Sequence, residues 1–265
     1  MPLKKIVLKP GVNRENTRYT TEGGWFDADK VRFRQGFPEK IGGWQRISDN
    51  TYLGVAKSLW GWATLASQKL VGVGTNLKFY IERGGAYYDI TPLRETQALT
   101  DPFTTTSGSA VVTVVDTAHG AFTGDFATFS GATAVGGLTI VGEYELTVLD
   151  PDTYTILAAE AATGSATGGG AVTAEYQLNV GGSTQAIAPG YGAGPYGLGP
   201  YGVGGSNIFD LRLYSQANFG EDLVFSYRKG AIYYWDATGD VTTRGVFLSS
   251  LVGASNVPTV VLHTL

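Results

Sequence analysis

Apolar and polar residues alternate with a period of two along most of the chain, in short runs cut by Gly, Asn, Asp and Pro, which is the pattern of half-buried strands joined by tight turns. Pro2, Pro10 and Gly11 disfavour helix at the start. In "KVRFRQGFPEKIGGW", Val31 and Phe33 alternate with basic residues, the chain turns at Gln35-Gly36, and the run ends at Gly42-Gly43-Trp44, which predicts a hairpin. Trp25 and Trp44 read as core anchors for it. Residues 1–50 are thus an extended arm with a first hairpin. In 51–96, "GVAKSLWGWATL", "QKLVGVGT", "LKFYIER" and "AYYDIT" predict a four-stranded antiparallel unit the size of a propeller blade. Residues 97–182 differ from what precedes them, being rich in Thr, Ala, Gly and Val. The runs "AVVTVVD", "DFATFSG", "GEYELTVLD", "TYTIL" and "AVTAEYQL" predict a small β-sandwich or barrel-like module inserted into the earlier pattern.

That pattern resumes in 206–265. Gly85-Ala86-Tyr87-Tyr88-Asp89 returns, with two extra residues, as Gly230-Ala231-Ile232-Tyr233-Tyr234-Trp235-Asp236, so a second blade and the start of a further one are expected. The predicted class is all-β: an incomplete β-propeller-like array of four-stranded units carrying an inserted module. Propellers close with about four to eight blades, so a longer natural chain or other chains are expected to complete the ring. Between module and second blade runs the Gly/Tyr/Pro-rich tract 183–205, where Tyr191, Tyr196 and Tyr201 recur every fifth residue. An insertion leaving near Arg94 and returning near Asp210 calls for an ordered strap across the gap. Pro195 and Pro200 would stiffen it, and the tyrosines would lie against a blade or a neighbouring subunit.

Charge sharpens the division. The net charge is −4, yet residues 1–46 hold ten Lys/Arg against five Asp/Glu, and the remainder nine against eighteen. Between Arg94 and Arg212 there is no Lys or Arg. Lys4, Lys5, Lys9, Arg14 and Arg18 therefore make a basic arm suited to docking on an acidic surface, whether protein or nucleic acid, while the acidic body would repel DNA phosphate. The sequence has no cysteine, which excludes disulfides and thiol chemistry. "MPLKKIVLKPG" lacks the apolar core of a secretory signal, and no run approaches the ~18 apolar residues of a membrane span, so a soluble protein is expected.

Candidate chemistry is thin. His119 lies near Asp116 and Asp125 but beside a turn glycine, and His263 is remote from it. The carboxylate pairs Asp27/Asp29, Asp150/Asp152 and Glu221/Asp222 have the spacing for glycosidic acid–base work or a cation, yet read more simply as turns. No nucleophile elbow, phosphate loop or zinc-helix motif occurs. No cofactor, metal or catalytic residue is expected.

Four blocks taken together carry a resemblance: Pro10-Gly11-Val12, Gly24-Trp25, Asp29-Lys30-Val31-Arg32-Phe33-Arg34, and Pro38-Glu39-Lys40-Ile41-Gly42-Gly43-Trp44. They are similar to the N-terminus of the packaged-DNA stabilization, or tail accessory, proteins of short-tailed bacteriophages. "YYDITPLRET", "NFGEDLVF", "GAIYYWDA" and "VPTVV" extend the likeness over nearly the whole chain. "VTVVDTAHGAFTGDFATFSGA" resembles a β-module common in phage tail proteins, sometimes labelled after a domain of ubiquitin-activating enzymes. The resemblance implies a non-enzymatic virion protein assembled in the host cytoplasm as a homo-oligomer of six copies. It would dock below the portal and adaptor in a tail hub or nozzle, hold the packaged genome, and touch viral dsDNA in passing. Relatives of this kind run longer. The rival reading is a carbohydrate-binding or depolymerising tail protein acting on host surface glycans.

Overall fold

Gln35 and Gly36 both sit at positive φ, 51° and 86°, the backbone of a turn whose twist matches two antiparallel strands. They join β1 (Val31–Arg34) to β2 (Phe37–Lys40), with Val31 opposite Lys40 and Arg34 opposite Phe37. The computed structural model describes residues 9–15, 17–20, 22–43, 46, 48–184 and 210–251. Lys4, Lys5, Trp44, Tyr191, Tyr196, Tyr201 and His263 lie outside them. The chain divides into two units, Met1–Ile47 and Ser48–Leu265. In the first, Trp25 meets Phe33 edge-on at 6.0 Å and pairs with Val12 through an isolated bridge, while every residue of β2 is exposed.

The second unit begins with a meander. β3 (Ala56–Ala63), β4 (Lys69–Thr75), β5 (Phe79–Arg83) and β6 (Ala86–Asp89) pair antiparallel in chain order. Nine strands follow: β7 (Leu93–Thr100), β8 (Phe103–Thr105), β9 (Val111–Val115), β10 (Phe126–Ser130), β11 (Gly142–Glu145), β12 (Thr147–Asp150), β13 (Thr153–Leu157), β14 (Ala166–Gly168) and β15 (Ala171–Gln177). They form two sheets, ordered β11-β10-β15-β7 and β12-β13-β9-β8-β14. The inward residues of the alternating runs, among them Phe103, Val112, Val114, Phe129, Tyr154, Ile156 and Tyr176, make one buried cluster. A second meander, β16 (Tyr214–Phe219), β17 (Asp222–Tyr227), β18 (Ile232–Trp235) and β19 (Val246–Phe247), repeats the order of the first.

The two meanders pack face to face, their first strands β3 and β16 in contact, in a propeller-like arrangement. Gln216 of β16 donates to the Ser58 hydroxyl of β3, and Phe79 of β5 stacks on Phe225 of β17 at 4.1 Å. Trp62 Nε1 donates to the Glu221 carbonyl at 2.8 Å, and the Gly245 N–H to that of Ile90 at 2.9 Å. Leu70, Ile81, Leu223, Tyr233 and Trp235 complete this second core. In "LVGVG" the glycines take the seam face: a Cβ on Gly74 would lie 2.5 Å from the Tyr214 ring. The fold is therefore all-β, built of four-stranded antiparallel sheets in a propeller-like arrangement.

One expectation is corrected. The tract after the module has no gap to cross. β7 and β15 are hydrogen-bonded neighbours, with Leu93 opposite Gln177 and the Leu178 N–H on the Pro92 carbonyl, so the module ends where it began. On either side of 185–209, Gly182 pairs with Leu211, the Gly182 N–H reaching the Asp210 carbonyl and the Arg212 N–H that of Gly182, both at 3.1 Å. The residues flanking the tract are therefore hydrogen-bonded neighbours, while 185–209 itself lies outside the described residues. Composition alone could not reveal this, because the pairing that closes the module joins strands far apart in the chain.

Candidate functional site

The most heavily charged junction lies where module and blades meet. The turn after β4 carries Lys78, whose side chain is only 3% exposed. Its ammonium donates to Asp89 at 2.8 Å and to Glu143 of β11 at 2.5 Å, and sits 4.6 Å from the Phe126 ring centroid. Arg244, from the loop between β18 and β19, lies 3.7 Å from Asp89 and 4.0 Å from Glu143, and donates to the Thr91 carbonyl at 2.8 Å. Gln177 donates to the other Glu143 oxygen at 2.5 Å. A buried ammonium is costly unless paired. Here two cations face two carboxylates drawn from both blades and the module. The cluster is charge-balanced, and its donors and acceptors are spent on one another, so it ties elements together rather than presenting a reactive group.

His119 is buried in the module and its ring is committed to the backbone. Nδ1 accepts the Ala121 N–H at 3.0 Å, so Nε2 carries the proton and donates to the Asp150 carbonyl at 3.1 Å. Asp116 accepts from the Tyr176 hydroxyl, which shares a 2.6 Å hydrogen bond with Tyr154. Burial pushes the Asp116 carboxyl up despite the Tyr176 bond, and both tyrosine hydroxyls are pushed up by the same cause. Asp125 accepts the Phe122 and Val180 N–H groups and the Asn179 amide at 2.7 Å each, yet its burial still outweighs them and raises its pKa. His119, Asp116 and Asp125 thus make separate hydrogen bonds within the module, with the His119 ring edge-on to Tyr154 at 5.0 Å.

The carboxylate pairs resolve as turns. Asp150 accepts from Thr153 at 2.5 Å and from the Asp152 N–H at 2.9 Å, bonds that hold it below the ordinary carboxylate range. Asp222 takes the Tyr234 hydroxyl and the Ala237 N–H, while Glu221 accepts the Leu65 N–H at 3.2 Å. Asp27 pairs with Arg14 at 2.6 Å. Of the basic arm residues, Lys9 is exposed, and Arg14 and Arg18 lie 6.0 and 5.2 Å from the Phe26 ring, so two of them gather on one aromatic. Among the described residues no His/Asp/Glu group assembles a metal site, and no helix is long and apolar enough to cross a membrane.

Two surface features escape sequence reasoning because register creates them. Thr147, Thr155, Thr113, Thr104 and Thr167 lie opposite one another across all five strands of one module sheet, with Val111, Val115 and Leu157 exposed beside them. This row forms an uncharged strip of one sheet face. On blade two, a cleft of about 150 Å³ is lined by Val180, Gly181, Asp210, Arg212, Arg228 and Lys229. The only signal for it was the charged turn Arg228-Lys229, which reads as an ordinary hairpin turn.

Comparison with family models and with curated proteins gives no match. Among solved structures, the chain is similar to the phage phi92 endosialidase at 17% identity and a TM-score of 0.29, over 73% of this chain and 29% of that one. The chain thus spans under a third of that structure's length. At such a score the likeness carries no argument about fold or activity, so the N-terminal motif stands on its own residues.

Proposed function

We propose that this chain is a structural component of a bacteriophage tail hub or nozzle, acting in six copies below the portal and adaptor to retain packaged DNA and form part of its exit conduit. The observation that carries the reading is the blade seam together with the balanced Lys78 cluster. They join two blades and an inserted module into one framework, which is what a conduit under internal pressure requires. The N-terminal likeness to packaged-DNA stabilization proteins supports it, as does a body whose net negative charge limits non-specific hold on passing phosphate. Among the described candidates, His119, Asp116, Asp125, Asp150 and Asp222 are engaged in holding a turn or a core in place, which agrees with a structural role. The test is cryo-EM of purified virions with copy-number analysis. Density on the tail axis at close to six copies is expected. Three copies on a peripheral spike would overturn the proposal, as would release of reducing sugar from host polysaccharide that Asp150→Asn or Asp152→Asn abolishes; either would establish the glycan-acting reading.

A further inference from the structure

The charged cleft on blade two differs in kind from the Lys78 cluster. β17 and β18 turn through Tyr227-Arg228-Lys229-Gly230, with Lys229 at φ 62°. The cleft lies between this turn and the crossing where Gly182 pairs with Leu211. Arg212, 9% exposed, is held 4.2 Å from the Tyr227 ring centroid and donates to the Asn179 carbonyl. Lys229 pairs with Asp210, whose carboxyl that pairing holds below its ordinary range. Among the described residues Arg228 has no carboxylate within ion-pair distance and no side-chain hydrogen bond. Three cations therefore share one carboxylate in a concave site, on a body whose overall charge is negative. Where this chain buries charge for structure, as at Lys78, it balances it. Here, among the described residues, it leaves two positive charges over.

We propose that this cleft binds a phosphate group. The Arg228 guanidinium and Lys229 ammonium, with the Tyr227-stacked Arg212 adding positive charge behind them, line a small cavity that suits a tetrahedral oxyanion with several acceptor oxygens. Free phosphate, carrying roughly −1.5 to −2 near neutral pH, matches the excess charge, and a backbone phosphodiester, with its single negative charge, neutralises half of it. The group comes either from free phosphate or from a nucleic-acid backbone, and binding it does not depend on the hub reading. The test titrates inorganic phosphate into the full chain at low ionic strength, against chloride as the reference anion, following amide shifts at Gly181 and Arg228–Gly230. Arg228→Gln and Lys229→Gln are each expected to weaken binding roughly tenfold, the worth of one charge-assisted hydrogen bond. Asp210→Asn, which removes the competing carboxylate, is expected to tighten it. Lys69→Gln, the same charge change at an exposed site on blade one, is expected to leave it unchanged. Thermal melts confirm that each variant is folded. Competition by a short DNA duplex assigns the backbone source, and its absence assigns free phosphate. The proposal is overturned if phosphate binds no better than chloride, or if the Arg228 and Lys229 variants bind as Lys69→Gln does.

Discussion

At the scale of single residues, Gly72 and Gly74 decide how closely the blades approach. Valine alternates with them on β4 and faces the other way, so the missing side chains fall on the seam, where Tyr214, Gln216 and Leu223 fill the space. Gly74→Ala is expected to cost about 1–3 kcal/mol as the Tyr214 ring is displaced, read as a lower urea midpoint. The cost should shrink in a Tyr214→Ala background, because the two positions share one contact. Asp116 and Asp125 make a second residue-scale prediction. Burial holds both folded-state pKa values above the ordinary value of 3.8. The folded chain thus binds protons there more tightly than the unfolded chain does. Their charged forms oppose folding at neutral pH, and that opposition fades as pH falls through the raised values toward 3.8. Asp150, Asp210, Asp236 and Asp240 are held low and run the opposite way, so a variant isolates the effect. Asp116→Asn should be at least as stable as the natural chain at neutral pH and lose that advantage by about pH 4, measured by urea titration at both. A variant less stable at neutral pH than in acid, relative to the natural chain, would contradict this.

At the scale of elements, alternation along the sequence made most strands legible, because a half-buried strand writes its inward face as every second residue. The runs holding Val112, Val114, Tyr154 and Ile156 point those residues into the module core, as their spacing predicts. Pairing was less legible. The echo of Gly85-Ala86-Tyr87-Tyr88 in Gly230–Tyr234 matches the hairpin β5–β6 to β17–β18, one strand out of step with the order of the two meanders. It records a shared hairpin turn rather than an equivalent place in the blade. The Lys78 cluster was not legible either, since its charges lie on segments far apart in sequence and meet only after the module folds back through β15. Lys78→Met would leave Arg244 as the one cation, among the described residues, beside Asp89 and Glu143. With those carboxylates about a quarter to a third exposed, the expected loss is about 1–3 kcal/mol. Amide exchange should then accelerate along β10 and β11 before it does in β4 and β5. Equal acceleration in both would show that the cluster does not govern the docking of the module.

At the scale of the whole molecule, both hydrophobic clusters lie within Ser48–Leu265. A chain starting at Ser48 is expected to keep its principal calorimetric transition within a few degrees of the full-length protein; loss of cooperative melting would refute this. The joined ends of the glycine–tyrosine tract have a genetic consequence. Gly194-Pro195-Tyr196-Gly197 and Gly199-Pro200-Tyr201-Gly202 are near-identical tandem units, which invite slippage during replication. Because Gly182 and Leu211 pair directly, a gained or lost unit changes the length of chain between two ends that are already joined. Even doubling that length adds roughly 0.6 kcal/mol of closure entropy, and the blades keep their register. The tract is thus a place where related genomes can differ in repeat number at almost no cost to the fold.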